Sequence, residues 1–161
     1  MAFLQIFKSI HMKKREILFK AKRVDNGEWI EGNLIGNNVI VGKIVDFNDE
    51  YFNTEFWYKV IPDTVCQFTG MVDNGGIKIF EYDTVIANCA PSGEKQKKVK
   101  DHKCVVEYSE LHHGWCVLIL DHEPGERWMT GYMSYGRNGS ALRVIGNIHD
   151  VKELECVSNA V

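Results

Sequence analysis

The order of apolar and acidic residues in the stretch 67–85 limits the possible folds of this chain more than any other feature. Ile77 and Ile79 fall on one face of a predicted strand, and the same register would put Glu81 and Asp83 on that apolar face. Burying two unpaired carboxylates costs several kcal/mol, on the order of 2–7 for even a neutral polar group. The strand is therefore predicted to end at these two acids, which accept hydrogen bonds from turn N–H groups, and to restart just after them.

Strand patterns with turn signals fill most of the chain. The turn Asp25-Asn26-Gly27 favours a hairpin, because Asn and Gly accept the positive φ of tight turns. The segment 46–55 is polar apart from three aromatic residues and is predicted to be a long loop. Strands are predicted at 16–24, 28–35, 39–45, 56–61, 84–87, 104–108, 115–120, 128–135 and 141–145, and single helical turns at 63–65 and 150–154.

Composition indicates a globular protein with no general nucleic-acid surface. The chain has 161 residues, 45% hydrophobic content and a formal net charge of -3, so it can bury a core, whereas a nucleic-acid-binding surface normally carries a strong basic excess. No apolar run approaches the ~20 residues of a spanning helix. Five cysteines without a C-x-x-C pair are predicted to be reduced thiols of a cytosolic protein: Cys66, Cys89, Cys104, Cys116 and Cys156.

The first residues form an apolar arm. The segment 1–10 is short and has neither a basic region ahead of it nor a small-residue cleavage site after it, so it does not resemble a signal peptide. It is a frayed tail, or the product of a start codon upstream of the one at Met12, or an apolar arm that packs on a neighbouring subunit.

A basic loop is predicted between 90 and 103. Five lysines lie there without an aromatic residue among them: Lys95, Lys97, Lys98, Lys100 and Lys103. The loop is either a solvated hairpin tip or a contact to nucleic acid, although no ring is present to stack on bases.

No catalytic, cofactor-binding or metal-binding residue is predicted. His112 and Cys116 are the only usefully spaced pair in a Cys/His cluster that also holds His102, Cys104, His113 and His122. Such a cluster is either an incomplete zinc site or buried thiols beside a wet loop. Glu81 and Asp83 could do acid-base chemistry, but turn capping accounts for them. A small hydrolase would require Cys, His and carboxylate side chains to converge in a pocket.

Aromatic residues are numerous, and most are expected in the core. Phe56, Trp57 and Tyr58 are consecutive on a predicted strand, so they cannot all face inward. At least one of the three is predicted to be exposed or to lie in a subunit contact.

The chain resembles the YopX family of phage and prophage proteins from about Glu16 to Leu154. The family pattern has Glu-Gly-Asp where this chain has Glu81-Tyr82-Asp83, so either Tyr82 is strained or the turn is remodelled. Lys20 follows Phe19 where family members commonly carry Arg. The residues that carry the resemblance are Ile17-Leu18-Phe19, Val24-Asp25-Asn26-Gly27-Glu28-Trp29, Pro62-Asp63-Thr64-Val65, Thr69-Gly70, Asp73, Gly76, Ile79, Glu81, Asp83, Val85 and Val144-Ile145-Gly146-Asn147-Ile148.

The resemblance implies a mainly β phage or prophage protein that acts in the cytoplasm of the bacterial host, without established chemistry or cofactor. It implies that the second half is an SH3-like β-barrel (62–155). The residue patterns predict a flexible N-terminal arm (1–15) and an antiparallel β meander (16–61) before it and a C-terminal tail (156–161) after it. The expected function is non-enzymatic binding or assembly, as a homo-oligomer and with an unknown host or phage protein. The alternative is a nucleic-acid-binding module that uses the loop around Lys95–Lys103.

Overall fold

Two antiparallel sheets and a projecting two-stranded ribbon make up the described part of the protein. The computed structural model describes residues 15–89, 100–111, 113–120, 129–132 and 142–150. The first sheet has six strands in the order β6-β3-β2-β1-β7-β8. Its strands are β1 (Phe19–Lys22), β2 (Trp29–Ile35), β3 (Val39–Val41), β6 (Trp57–Lys59), β7 (Cys66–Val72) and β8 (Lys78–Phe80).

The predicted hairpin at the start of the chain is confirmed. β1 and β2 pair with Lys22 opposite Trp29, and Gly27 adopts a φ of 72° in the turn between them. This φ lies in the left-handed region, which glycine enters without a steric penalty.

A second sheet forms from the later part of the chain. Its five strands have the order β12-β11-β10-β9-β13, and buried aliphatic side chains such as Val85, Val106 and Val117 form its core. Its strands are β9 (Asp83–Cys89), β10 (Lys100–Ser109), β11 (Gly114–Ile119), β12 (Met129–Tyr132) and β13 (Leu142–Asn147).

The predicted break of the strand before the two acids is confirmed. β8 ends at Phe80, residues 81 and 82 form a turn, and β9 begins at Asp83, one residue before the predicted restart at Thr84. The predicted helical turn near Asp63 is also confirmed as a 3-10 turn over Pro62–Thr64. A second 3-10 turn spans Ile148–Asp150, and the rest of the turn predicted up to Leu154 lies outside the described residues.

The prediction of a mainly β protein is confirmed, but no closed barrel is seen in the described residues. β9 to β13 form a five-stranded sheet whose edge strands, β12 and β13, do not pair with each other in the part of the chain that is described. β7 pairs with β1, with Phe19 opposite Gln67. The six-stranded sheet therefore contains strands from both sides of the predicted domain boundary at residue 62. The local pattern of the sequence did not indicate this pairing, because it joins residues that are far apart in the chain.

The prediction of a loop at 46–55 is wrong. β4 (Ile44–Phe47) and β5 (Phe52–Thr54) pair there as an antiparallel ribbon, with Phe47 opposite Phe52. We call residues 43–56 the ribbon. Hydrogen bonds from Gly42 N to Phe56 O (3.0 Å) and from Glu55 N to Lys43 O (2.9 Å) connect its ladder to the β3-β6 pair of the first sheet.

No helix in the described residues is both long and apolar enough to cross a membrane.

Candidate functional site

A buried polar cluster joins the two sheets. The fully buried carboxylate of Asp83, on β9, accepts a hydrogen bond from Lys20 Nζ of β1 at 2.6 Å and another from Asn147 Nδ2 of β13 at 2.9 Å. Its second oxygen accepts the backbone N–H of Phe80 at 2.8 Å. Asp83 therefore caps the turn, as predicted, and also binds side chains from two other strands, β1 and β13.

Lys20 is the cation in this cluster. Lys20 stands where members of the resembling family commonly carry Arg, and its ammonium also lies 4.9 Å from the ring centroid of Trp29 and 4.8 Å from that of Phe80. Trp29, Asp83 and Asn147 all belong to the residues that carried the resemblance. The spacing of single residues gave no hint of the cluster, since Lys20 and Asp83 are separated by 63 positions.

Glu81 does not share the position of Asp83. Its side chain is half-buried, and burial together with the nearby carboxylate of Glu107 raises the pKa of Glu81, while a hydrogen bond from the Gln67 backbone acts in the opposite direction. Glu81 and Asp83 were predicted to act together in one turn, but they lie in different surroundings and only Asp83 binds Lys20.

A second group of side chains connects the first sheet to the 3-10 turn at Ile148–Asp150. Asp150 Oδ1 accepts a hydrogen bond from Trp29 Nε1 at 2.7 Å, and Lys22 Nζ donates to the carbonyl oxygen of His149. His149 Nε2 is buried and has no hydrogen-bond partner among the described residues. Burial, followed by the charge of Lys22, lowers the pKa of His149, so its ring is neutral at neutral pH.

Tyr82 adopts the conformation that the family glycine predicts. Its φ is 61°, its backbone N–H donates to Val106 O at 2.8 Å, and its ring meets that of His149 edge-on with centroids 5.7 Å apart. The turn is therefore not remodelled: Tyr82 takes the left-handed conformation that favours glycine, and the contact with His149 stabilises it there.

We expect Tyr82→Gly to be more stable than Tyr82→Ala by about 1 kcal/mol, because both variants lose the ring but only Ala keeps the left-handed strain. Urea denaturation of the two variants measures this difference in the free energy of unfolding. The usual order in strands, with Ala more stable than Gly, would show that the turn relaxes out of the positive-φ region.

Three of the predicted thiols are buried. Cys66, Cys104 and Cys116 form no disulfide. Burial raises the pKa of Cys66 to about 12 and also raises the pKa of Cys116. Neither thiol is an activated nucleophile, since the thiolate is the reactive form. Cys89 is described only in its backbone, and Cys156 lies outside the described residues.

The Cys/His cluster and the basic loop are only partly described. His112, His122 and the loop residues up to 99 lie outside the described residues, as does the arm before Arg15. Within the described ranges no group of three or more His, Cys, Asp or Glu side chains could hold a metal ion. Lys100 and Lys103 lie on β10.

An open cleft of about 350 Å³ lies beside Cys116. Its described lining contains the carboxylates of Glu107 and Glu110 but no histidine. Cys116 Sγ donates to the carbonyl oxygens of Glu107 (3.5 Å) and Gly114 (3.7 Å). The cleft therefore brings a thiol near carboxylates, and its described lining holds no histidine of the kind that activates a catalytic thiol.

The ribbon presents the strongest candidate for a binding surface. All four residues of β4 are exposed, and Phe47 keeps 70% of its surface accessible. Because neighbouring residues of a strand point to opposite faces, neither face of β4 is covered by the described part of the chain. The other large exposed side chains of the ribbon are Ile44, Val45, Tyr51 and Phe52.

The tip of the ribbon is well ordered by its own hydrogen bonds. Asn48 Oδ1 accepts the backbone N–H groups of Glu50 (2.8 Å) and Tyr51 (2.9 Å), and Asn48 N donates to Tyr51 O. An Asn followed by two acidic residues between aromatic residues is a turn signal, and it could have identified this hairpin.

Trp57 continues the exposed surface at the base of the ribbon. It is 64% exposed, whereas Phe56 and Tyr58 are half-buried and stack with ring centroids 5.7 Å apart. The prediction that at least one of the three aromatic residues is exposed is confirmed. Trp57 lies on the edge strand β6, and several exposed apolar side chains lie in the ribbon, the kind of feature that marks interaction sites.

Comparison with known proteins gives one match. The family model described as YopX protein matches residues 18–154. No curated protein and no solved structure matches the chain.

Proposed function

The chain belongs to the YopX family, and from this premise we propose that it is a non-enzymatic phage or prophage accessory protein that works by binding. It acts in the cytoplasm of the bacterial host, associates with itself and binds a protein of host or phage origin. The ribbon with Trp57 is the observation that carries this proposal. Exposed aromatic and aliphatic side chains on both faces of a projecting hairpin gain free energy when a partner covers them.

A second physical reason supports a partner on the ribbon. An isolated two-stranded hairpin is marginally stable in water, and stability normally requires a third strand or a packed face. Past its attachment at residues 42 and 56, the ribbon has no third strand and no packed face among the described residues. A bound protein would supply the missing contact.

The charge of the ribbon favours a protein over a nucleic acid as the partner. The ribbon has one basic residue, Lys43, against four carboxylates, which gives it a net charge of -3: Asp46, Asp49, Glu50 and Glu55. Phosphate groups would be repelled by such a surface. A nucleic-acid contact would therefore have to use another surface, such as the basic loop.

We expect the wild-type chain to self-associate and Phe47→Ser/Phe52→Ser to weaken this association about tenfold or more, since two large apolar side chains would be lost from the contact. Size-exclusion chromatography with light scattering over a concentration series measures it. The matched control is Leu111→Ser, because Leu111 is 83% exposed and lies outside the ribbon.

The double variant and the control should each unfold within about 0.5 kcal/mol of the wild type if the side chains are exposed as described. A wild-type chain that stays monomeric at the highest soluble concentration, and that captures no protein from infected or uninfected host cells through the ribbon, would contradict the proposal.

A further inference from the structure

The N-terminal arm is chemically complementary to the ribbon. Residues 1–14 contain Lys8, Lys13 and Lys14 and no acidic residue, so their formal charge is +3 with His11 neutral. The same segment has large apolar side chains at Phe3, Leu4, Ile6, Phe7 and Ile10. The ribbon has a net charge of -3 and an exposed apolar surface. The two segments therefore have opposite charges that can pair and apolar side chains that can pack together.

We propose that residues 1–14 of a second copy of this chain bind along the ribbon and that this exchange of arms holds a homodimer together. The inference rests on the proposed function, because it assigns the partner in self-association. Each copy would give one arm and receive one, which is the reciprocal contact expected of a two-fold dimer.

The direction of the strands favours the second copy over the chain's own arm. β1 and β3 are both antiparallel to β2, so they run the same way. β1 begins opposite Gly32 and β3 ends opposite Asn33, which puts both points at the same level of the sheet. From this level the ribbon continues forward from β3, whereas the chain that precedes β1 leads backward.

Contacts of the first described residues support the same assignment. Glu16 pairs with Lys78 of β8 at 3.4 Å, and β8 is the edge strand opposite β6, where the ribbon is attached. The arm would have to reverse its direction and cross the sheet to reach its own ribbon. The five residue steps from Ile10 to Arg15 span at most about 18 Å. The apolar residue Ile10 therefore cannot lie farther than this from Arg15.

Charge exchange between full-length variants tests the proposal. One variant reverses the arm (Lys8→Glu/Lys13→Glu/Lys14→Glu), and the other reverses the tip of the ribbon (Asp46→Lys/Asp49→Lys/Glu50→Lys). We expect each variant alone to weaken the dimer on the order of tenfold or more in sedimentation experiments, since three exposed ion pairs become repulsive. An equimolar mixture of the two should restore the wild-type affinity within a few fold, because both contacts of the mixed dimer are again complementary.

The control variant changes the same number of charges elsewhere. Glu28, Glu107 and Glu110 are exposed and lie outside the ribbon, so their replacement by Lys should leave the association constant within about threefold of wild type.

Other outcomes would contradict the proposal. Self-association that survives both reversals, or a mixture that fails to recover, overturns the exchange of arms and leaves the proposed binding function standing. A wild-type chain that is monomeric in every sample overturns the exchange and the proposed self-association together.

Discussion

Replacing Asp83 with Ala should destabilise the protein by about 3–5 kcal/mol, the cost of removing one partner of a buried ion pair. The carboxylate is fully buried and accepts hydrogen bonds from Lys20, Asn147 and the Phe80 N–H. All three hydrogen bonds to the carboxylate would be lost, and the Lys20 ammonium, whose side chain is only 15% exposed, would remain without its counter-charge. Urea denaturation followed by circular dichroism measures the free energy of unfolding.

The double variant Lys20→Met/Asp83→Asn is the matched control for the charge. It removes both charges and keeps the approximate shape of both side chains, so we expect it to lose less stability than Asp83→Ala. If Asp83→Ala instead loses less than about 1 kcal/mol, as an exposed acid would, then the cluster does not join the two sheets.

Gly32→Ala should cost about 3 kcal/mol, at the upper end of the range for overpacking, because the added methyl group meets backbone rather than a movable side chain. A Cβ at Gly32 would lie 2.3 Å from the carbonyl oxygen of Val41 and 2.8 Å from Cγ2 of Ile40. β3 would have to move away from β2, and the ribbon that continues from β3 would move with it. Thermal and urea unfolding measure the loss, and light scattering measures the effect on self-association.

Gly36→Ala is the matched control for this substitution. Gly36 has a φ of 61° and no atom within 4 Å of the added Cβ, so only the left-handed strain remains, about 1–2 kcal/mol. Equal losses for the two variants would indicate that β2 and β3 are not held as closely as the distances require.

The sequence predicted what depends on neighbouring residues. The turn at Gly27 and the break before Asp83 follow from local pattern and the cost of burying carboxylates, and both are confirmed. The positive φ at Tyr82 could be expected from the family glycine but not from the residue itself, since Tyr rarely adopts it.

The parts that failed depend on distant partners or on weak local signals. Nothing near Phe19 indicates that Gln67 will lie opposite it, so the local pattern did not indicate that β1 and β7 share a sheet. The ribbon was missed because polar residues at 46–55 outweigh the aromatic residues that pair across it. Polarity there reflects exposure on both faces rather than irregular backbone.

The candidate site was predictable in composition but not in geometry. The exposed aromatic residue near Trp57 was expected, and the ribbon that continues from it was not. Asp83 was assigned to turn capping, but its ion pair with Lys20 joins β1 to β9 and could not be inferred from spacing along the chain.

The pairing of β1 with β7 has a consequence for synthesis on the ribosome. β1 leaves the ribosome well before β7, since Phe19 lies opposite Gln67. Until β7 emerges, the nascent sheet has one side with open N–H and C=O groups, which is a template for wrong association. Emergence of β7 from the ribosome is therefore the step that allows this side of β1 to be covered.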